Sequence, residues 1–359
     1  MLRRNVLLAL SLFSLAITLV IPACQPSATS YVESGNTHVE KGEYDLAIAD
    51  FDKAIEIDAD SADAYQGRGI AYLQNKQNDQ ALADFDEDIE LQPDSSDAYY
   101  WRGRCLFLMN QRDRAMVDLN KSIELDNNNA KSYVIRGISL KLSGEVDQAI
   151  ADLNRAIELN NMDEGNLVTA YYHIGQCYRL LNNYDAAIAN ISKFIELRPE
   201  YCDGYNARGW FYFMKGEYEK ALTDINKALE LAPDASYAWD SRGNCYYQMG
   251  DFDQAIADMS KALELDPDKA GSYCVRGKSY YAMQEYDKAI ADFNRVVELN
   301  DKGIEAYYCT CAESYYYRGL CNKDINRLDE AKADFQSAIS NSTDQSIIDM
   351  ATSELTKIE

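Results

Sequence analysis

The chain contains only two histidines, His38 and His173, so arrangements that use imidazole as metal ligand, general base or partner of a nucleophile have almost nothing to draw on. Cys309-x-Cys311 is not a zinc spacing, and no second cysteine pair accompanies it within reach. Asp58-x-Asp60-x-x-Asp63 and Asp126-Asn127-Asn128-Asn129 carry oxygens at intervals like those of calcium loops. Both lack the glycine and closing glutamate of an EF-hand and fall at turns, where solvated caps explain them better. Paired carboxylates recur throughout a chain with 59 Asp+Glu, and context singles out none as acid or base. These residues imply no enzyme, no metal site and no cofactor.

The formal net charge is −24, from 35 Lys+Arg against 59 Asp+Glu, with the acids spread along the chain. A duplex-binding surface must gather Lys and Arg against phosphates, and no such stripe occurs, so nucleic acid is excluded as a partner. Acidity here implies solubility and a preference for basic partners.

Residues 1–23 have the layout of a secretory signal. Arg3 and Arg4 precede an apolar core from Val6 to Ile21, which ends at Pro22-Ala23-Cys24. The core is shorter than the roughly 20 residues a spanning helix needs. Ile21-Pro22-Ala23-Cys24 resembles the lipobox of bacterial lipoproteins, although Pro22 departs from the usual small or aliphatic residue. That resemblance implies lipidation of Cys24 and an extracytoplasmic protein anchored to a bacterial membrane, at the periplasmic face or the cell surface. A short polar linker, residues 24–30, would keep the folded part near the bilayer.

Glycine sets a period along the rest. Gly35, Gly69, Gly103 and Gly137 are 34 apart, Gly175 follows after 38, Gly209, Gly243 and Gly277 return to 34, and Gly319 follows after 42. Twelve places after each glycine stands alanine, from Ala47 to Ala331, and four places before each stands an aromatic, from Tyr31 to Tyr315. Small residues at both places allow two antiparallel helices to approach closely. Pro93, Pro199, Pro233 and Pro267 end second helices such as the one containing Ala255-Ile256-Ala257-Asp258-Met259. Cys105, Cys177, Cys245 and Cys321 stand two places after a marker glycine and read as free core thiols; Cys202, Cys274, Cys309 and Cys311 leave a disulfide open without indicating a pairing. Arginine precedes seven of the glycines and aspartate follows sixteen places later, as in Arg242 and Asp258. We expect a structural ion pair within each hairpin or between neighbours. The fifth hairpin loses both residues together, to Ile174 and Asn190, and the first has Ser34 with Asp50.

Together these residues resemble the tetratricopeptide repeat family. The resemblance implies an all-α fold, a right-handed α-solenoid superhelix of about nine helix-turn-helix hairpins plus a C-terminal capping helix. Expected repeats are 28–61, 62–95, 96–129, 130–163, 168–201, 202–235, 236–269, 270–303 and 312–343. Residues 344–359 form the cap, with Ile347, Ile348, Met350, Ala351 and Leu355 covering the last hairpin. Proline is replaced at Ala59, Asn127, Asn161 and Asp301, and insertions near 161–167 and 303–311 should lengthen a loop or helix.

In that family the first helices of successive hairpins line a concave groove that takes peptides or partner helices. Carried onto this chain, the groove places hold Tyr100, Trp101, Phe107, Tyr172, His173, Trp210, Phe213, Tyr247, Tyr281, Tyr316 and Tyr317. Arg104, Lys131, Lys141, Arg179 and Lys278 fall on the same surface and can meet a carboxylate or phosphate. Some of these aromatics are expected to complete packing between hairpins instead. The family's carboxylate clamp is not matched, because Asp97 and Asp203 stand where it needs bases. The resulting expectation is a membrane-anchored scaffold or adaptor that binds protein or peptide partners in envelope assembly, secretion or surface complexes. Glycan binding by the aromatic groove is the alternative.

Overall fold

A computed structural model of the chain describes residues 26–304 and 310–358. The signal segment 1–23, the lipidation candidate Cys24 and Cys309 lie outside the described residues. The chain divides into two units, residues 1–125 and 126–359. All described elements are α-helices.

The first unit contains three antiparallel hairpins: α1 (Ala28–Glu40) with α2 (Tyr44–Ile57), α3 (Ala62–Gln74) with α4 (Asn78–Leu91), and α5 (Ser96–Leu108) with α6 (Arg112–Leu125). The second unit contains six hairpins and a closing helix. Its pairs are α7 (Ala130–Leu142) with α8 (Val146–Leu159), α9 (Glu164–Leu180) with α10 (Tyr184–Leu197), α11 (Cys202–Met214) with α12 (Tyr218–Leu231), α13 (Ser236–Met249) with α14 (Phe252–Leu265), α15 (Ala270–Ala282) with α16 (Tyr286–Asp301), and α17 (Cys311–Asp324) with α18 (Leu328–Asn341); α19 (Gln345–Ile358) follows. Within each unit the second helix of one hairpin packs on the first helix of the next, the arrangement of an α-solenoid. The insertion near residue 161 lengthens a helix: α9 has 17 residues and begins at Glu164, before the expected repeat start.

The marker glycines close the hairpins. A Cβ on Gly209 would lie 2.7 Å from Ile225 Cγ1 and 3.1 Å from the Ala221 carbonyl oxygen, so the second helix occupies the space that a side chain would need. The residue sixteen places after each glycine fills this position, as Phe51, Phe85, Leu119, Leu153, Ile191, Ile225, Met259, Phe293 and Phe335, all buried.

A second conserved geometry sits seven places after the marker, at the turn. Gly42, Lys76, Asn110, Gly144, Asn182, Gly216, Gly250, Gln284 and Asn326 all have φ between 55° and 86°. At Lys76 the chain makes a Schellman closure, with Gln77 N donating to Tyr72 O at 2.9 Å and Lys76 N to Leu73 O at 3.2 Å. Glycine or asparagine tolerates this left-handed conformation, whereas lysine and glutamine are strained in it. At the far end of the hairpin, the residue before proline is extended, as in Asp266 with φ −144° and ψ 93°. Asp58 is extended as well (φ −138°, ψ 96°) although Ala59 replaces proline, so the exit does not depend on that ring.

The expected Arg–Asp pairs form both within and between hairpins. Arg242 Nε and Nη2 donate to Asp258 at 2.7 and 2.8 Å, while Nη1 reaches back to Asn226 Oδ1 on the preceding hairpin at 2.7 Å. The guanidinium also lies over Trp239, 4.7 Å from the ring centroid. Arg68, Arg102, Arg208, Arg276 and Arg318 repeat this staple, with their backward donor on Asp52, Asp86, Ser192, Ser260 and Asn294 respectively. Arg136 makes the bidentate bond to Asp152. In the first hairpin Ser34 Oγ donates to Asp50 at 2.6 Å, so the aspartate keeps a donor. In the fifth, Ile174 is buried and Asn190 turns to its own helix, bonding Ala186 O.

The closing helix covers the last hairpin through Ala351 and Leu355 against Phe335, Ala338 and Leu320, Ile347 is buried as well, and Lys323 Nζ donates to Glu354 at 2.5 Å. Met350, expected in that contact, is instead exposed.

Candidate partner-binding face

The first unit gives its expected groove residues largely to the core. Tyr100 is only 2% exposed and stands edge-on to Trp101 at 5.0 Å. This corrects its expected groove role, since a ligand cannot reach the ring. Trp101 stacks on Phe85 at 6.3 Å and packs against Leu73, Ala81 and Cys105, leaving one face to the Arg104 guanidinium at 5.2 Å. Phe107 is half-buried.

In the second unit most of the expected residues fall into two groups, with Tyr172, His173 and Lys141 apart from both. Tyr281, Tyr316 and Tyr317 form an aromatic cluster between hairpins: Tyr317 stands 5.8 Å from Tyr281, 5.4 Å from Tyr316 and 6.0 Å from Phe293. Burial pushes the Tyr281 hydroxyl up to about 12, consistent with a packing role. The other group, Arg179, Trp210, Phe213, Tyr247 and Lys278, surrounds a cavity of about 470 Å³ between α9, α11, α13 and α15. Trp210 and Phe213 stack at 4.6 Å, one helical turn apart on α11, and remain partly exposed to the cavity. Lys278 is 10% exposed, ion-paired with Glu313 and 5.2 Å above the Tyr317 ring.

Two further cavities continue this face. One of about 480 Å³ shares Arg179 and Trp210 with the first, and one of about 450 Å³ shares Tyr172 and Asp203 with the second. Tyr172 packs on Phe194 at 5.5 Å and edge-on to His173. Burial, reinforced by Lys141, lowers the His173 imidazole to about 4, and Nδ1 of the neutral ring accepts from Lys141 Nζ at 2.9 Å. His173 and Lys141 therefore satisfy each other.

The aromatic pattern did not reveal the polar wall. Gln176, Asn206, Asp240 and Asn244 occupy the same groove places of their helices as the named aromatics, and that register is the signal that could have found them. Asp240 accepts from Ser272 Oγ at 2.5 Å and from Asn244 Nδ2 at 3.3 Å, and burial raises its carboxyl above the ordinary range. Asn206 Oδ1 is buried and has no hydrogen-bond partner.

The thiols behave as expected of core groups. Cys105, Cys177, Cys245 and Cys321 are free and buried, and burial lifts Cys105 and Cys177 to about 11 and Cys245 and Cys321 to about 12, which suppresses thiolate chemistry. Cys202 and Cys311 are also free, whereas Cys274 is disulfide-bonded. Among the described residues no group of three or more His, Cys, Asp or Glu is placed to hold a metal ion, and no helix is long and apolar enough to cross a membrane.

Comparison with solved structures finds the same fold at low identity. A tetratricopeptide repeat protein from Parabacteroides merdae is 18% identical, with 73% of this chain and 98% of that chain covered and a TM-score of 0.55. The APC/C hetero-tetramer Cut9-Hcn1 is 18% identical, covering 78% of this chain and 55% of that one at a TM-score of 0.54, and Pseudomonas aeruginosa pilF is 17% identical, covering 57% and 92% at 0.52. The comparison with curated proteins returned no match. Family models described as TPR repeat or tetratricopeptide repeat match residues 35–76, 67–130, 130–161, 168–201, 202–235, 243–284, 270–302 and 312–345. With most of its length matched in this way, the chain belongs to the tetratricopeptide repeat family.

Proposed function

We propose that this protein is a non-enzymatic interaction scaffold, anchored outside the cytoplasm by lipid on Cys24, that holds a protein or peptide partner along the trough of its second unit. The supporting observation is that Trp210, Phe213, Arg179, Tyr247 and Lys278 line one cavity that continues into two more. Partly exposed aromatics with cations and carboxamides around them give large contact area at little entropic cost, the usual anchors of an interface. Cut9-Hcn1, which shares the fold, is described as a hetero-tetramer. The lipobox-like Ile21-Pro22-Ala23-Cys24 supports the anchor and a place in envelope assembly, secretion or surface complexes.

Crosslinking in the native envelope followed by mass spectrometry tests the reading. Trp210→Ala with Phe213→Ala should lose the captured partners, and an unchanged partner list refutes the trough assignment. Retention of cell-wall fragments in place of proteins would make the ligand a glycan. Labelling with a fatty-acid analogue should mark the wild-type chain and not Cys24→Ser; equal labelling removes the anchor.

A further inference from the structure

We infer that the trough is polarised, and that its cavity between Arg179 and Lys278 takes an acidic residue flanked by a large apolar side chain within an extended peptide segment. This deepens the peptide-binding reading above and rests on it.

The charge of the walls carries the argument. In a chain with 59 acids against 35 bases, the only charged residues lining the 470 Å³ cavity are Arg179 and Lys278. Glu313 pairs with Lys278 from α17 without forming part of that wall. Asn182 and Gln248 add carboxamides, and the Trp210–Phe213 stack supplies an apolar side. A carboxylate in this setting meets cations screened less than those on open surface, so the local sign outweighs the acidic total. The adjoining cavity shares Arg179 but adds the carboxyls of Asp203 and Asp240 beside Lys269, so the preference for acid belongs to one end.

One observation favours a segment running through over a chain terminus. The cavities share walls, Arg179 and Trp210 between the first two and Tyr172 and Asp203 between the next, so a ligand leaving one enters another. A volume near 470 Å³ is within the range that holds ligands of this size, about 300–1,000 Å³.

The test uses the full chain and three fluorescein-labelled peptides with blocked termini, built from repeated Glu-Phe-Gly-Ser, Gln-Phe-Gly-Ser or Lys-Phe-Gly-Ser units, read by fluorescence anisotropy. The Glu peptide should bind about tenfold more tightly than the Gln peptide, equivalent to about 1.4 kcal/mol. Arg179→Gln with Lys278→Met should bring the two within about twofold, whereas Trp210→Ala should weaken both. Lys278→Arg should retain the preference, and if Lys278→Met disturbs the helices by circular dichroism, Arg179→Gln alone decides the point. Equal binding of Glu and Gln peptides, tighter binding of the Lys peptide, or no binding of any peptide overturns the inference. If the native partners are nevertheless lost on Trp210→Ala, only the ligand chemistry fails and the scaffold reading stands.

Discussion

Breaking the Arg242–Asp258 staple tests whether the array is held by buried ion pairs or only by apolar packing. The Arg242 side chain is 19% exposed and that of Asp258 4%, so Arg242→Met leaves a carboxylate in the interior with its bidentate partner gone. That loss should cost about 3–5 kcal/mol. Asp258→Asn keeps an acceptor for Arg242, which also retains Asn226 and the Trp239 ring, and should cost about 1–2 kcal/mol. The double variant removes both charges, so its cost should fall below the sum by a coupling of about 1.5–3 kcal/mol. An exposed pair would give only about 0.2–1 kcal/mol and would weaken in salt. Repeat arrays need not unfold in one step, so the suitable assay is native-state hydrogen exchange of amides in α13 and α14, in low salt and in molar salt. A coupling within the additivity error of about 0.3 kcal/mol, or one that disappears in salt, refutes the staple.

Asp88 and His173 should respond to acid with opposite signs. Asp88 is 1% exposed, receives only Gln66 Nε2 at 3.0 Å, has an unpartnered Oδ1, and is raised by burial from 3.8 to about 6. Its folded form therefore resists ionisation: the penalty is present above about 6 and is relieved as pH falls towards 4. Asp88→Asn should abolish this pH dependence and add about 1 kcal/mol to the first unit at neutral pH, measured by urea unfolding. No change in the pH profile would refute the assignment. His173 is lowered from 6.5 to about 4, so its contribution is complete above 6.5 and is lost as pH falls towards 4. Hydrogen exchange in α9 should lose about 2 kcal/mol of protection over that window, and His173→Gln should flatten the response. Lys76→Gly and Gln284→Gly should each stabilise their hairpin by about 1 kcal/mol, because both side chains are held at positive φ. Unchanged or lower urea midpoints would count against strain at those turns.

Much of this protein is determined locally. The glycine-to-alanine interval of twelve, the aromatic four places earlier and the arginine-to-aspartate interval of sixteen each describe one close approach of two helices, so the hairpins and their staples follow from spacing alone. The family's groove register also identified Arg179, Trp210, Phe213, Tyr247 and Lys278, which share one cavity. Other features depended on three-dimensional packing. Tyr100 and Trp210 both occupy groove places, yet Tyr100 is buried while Trp210 lines a cavity. The difference comes from neighbouring helices, whose side chains fill the space in one case and leave it open in the other. Asn206 and Asp240 were inconspicuous in an acidic, polar sequence because their significance lies in burial and missing or satisfied partners. Periodicity specifies which residues must touch inside a hairpin; only the assembled helices decide which of the remaining side chains have room for a partner.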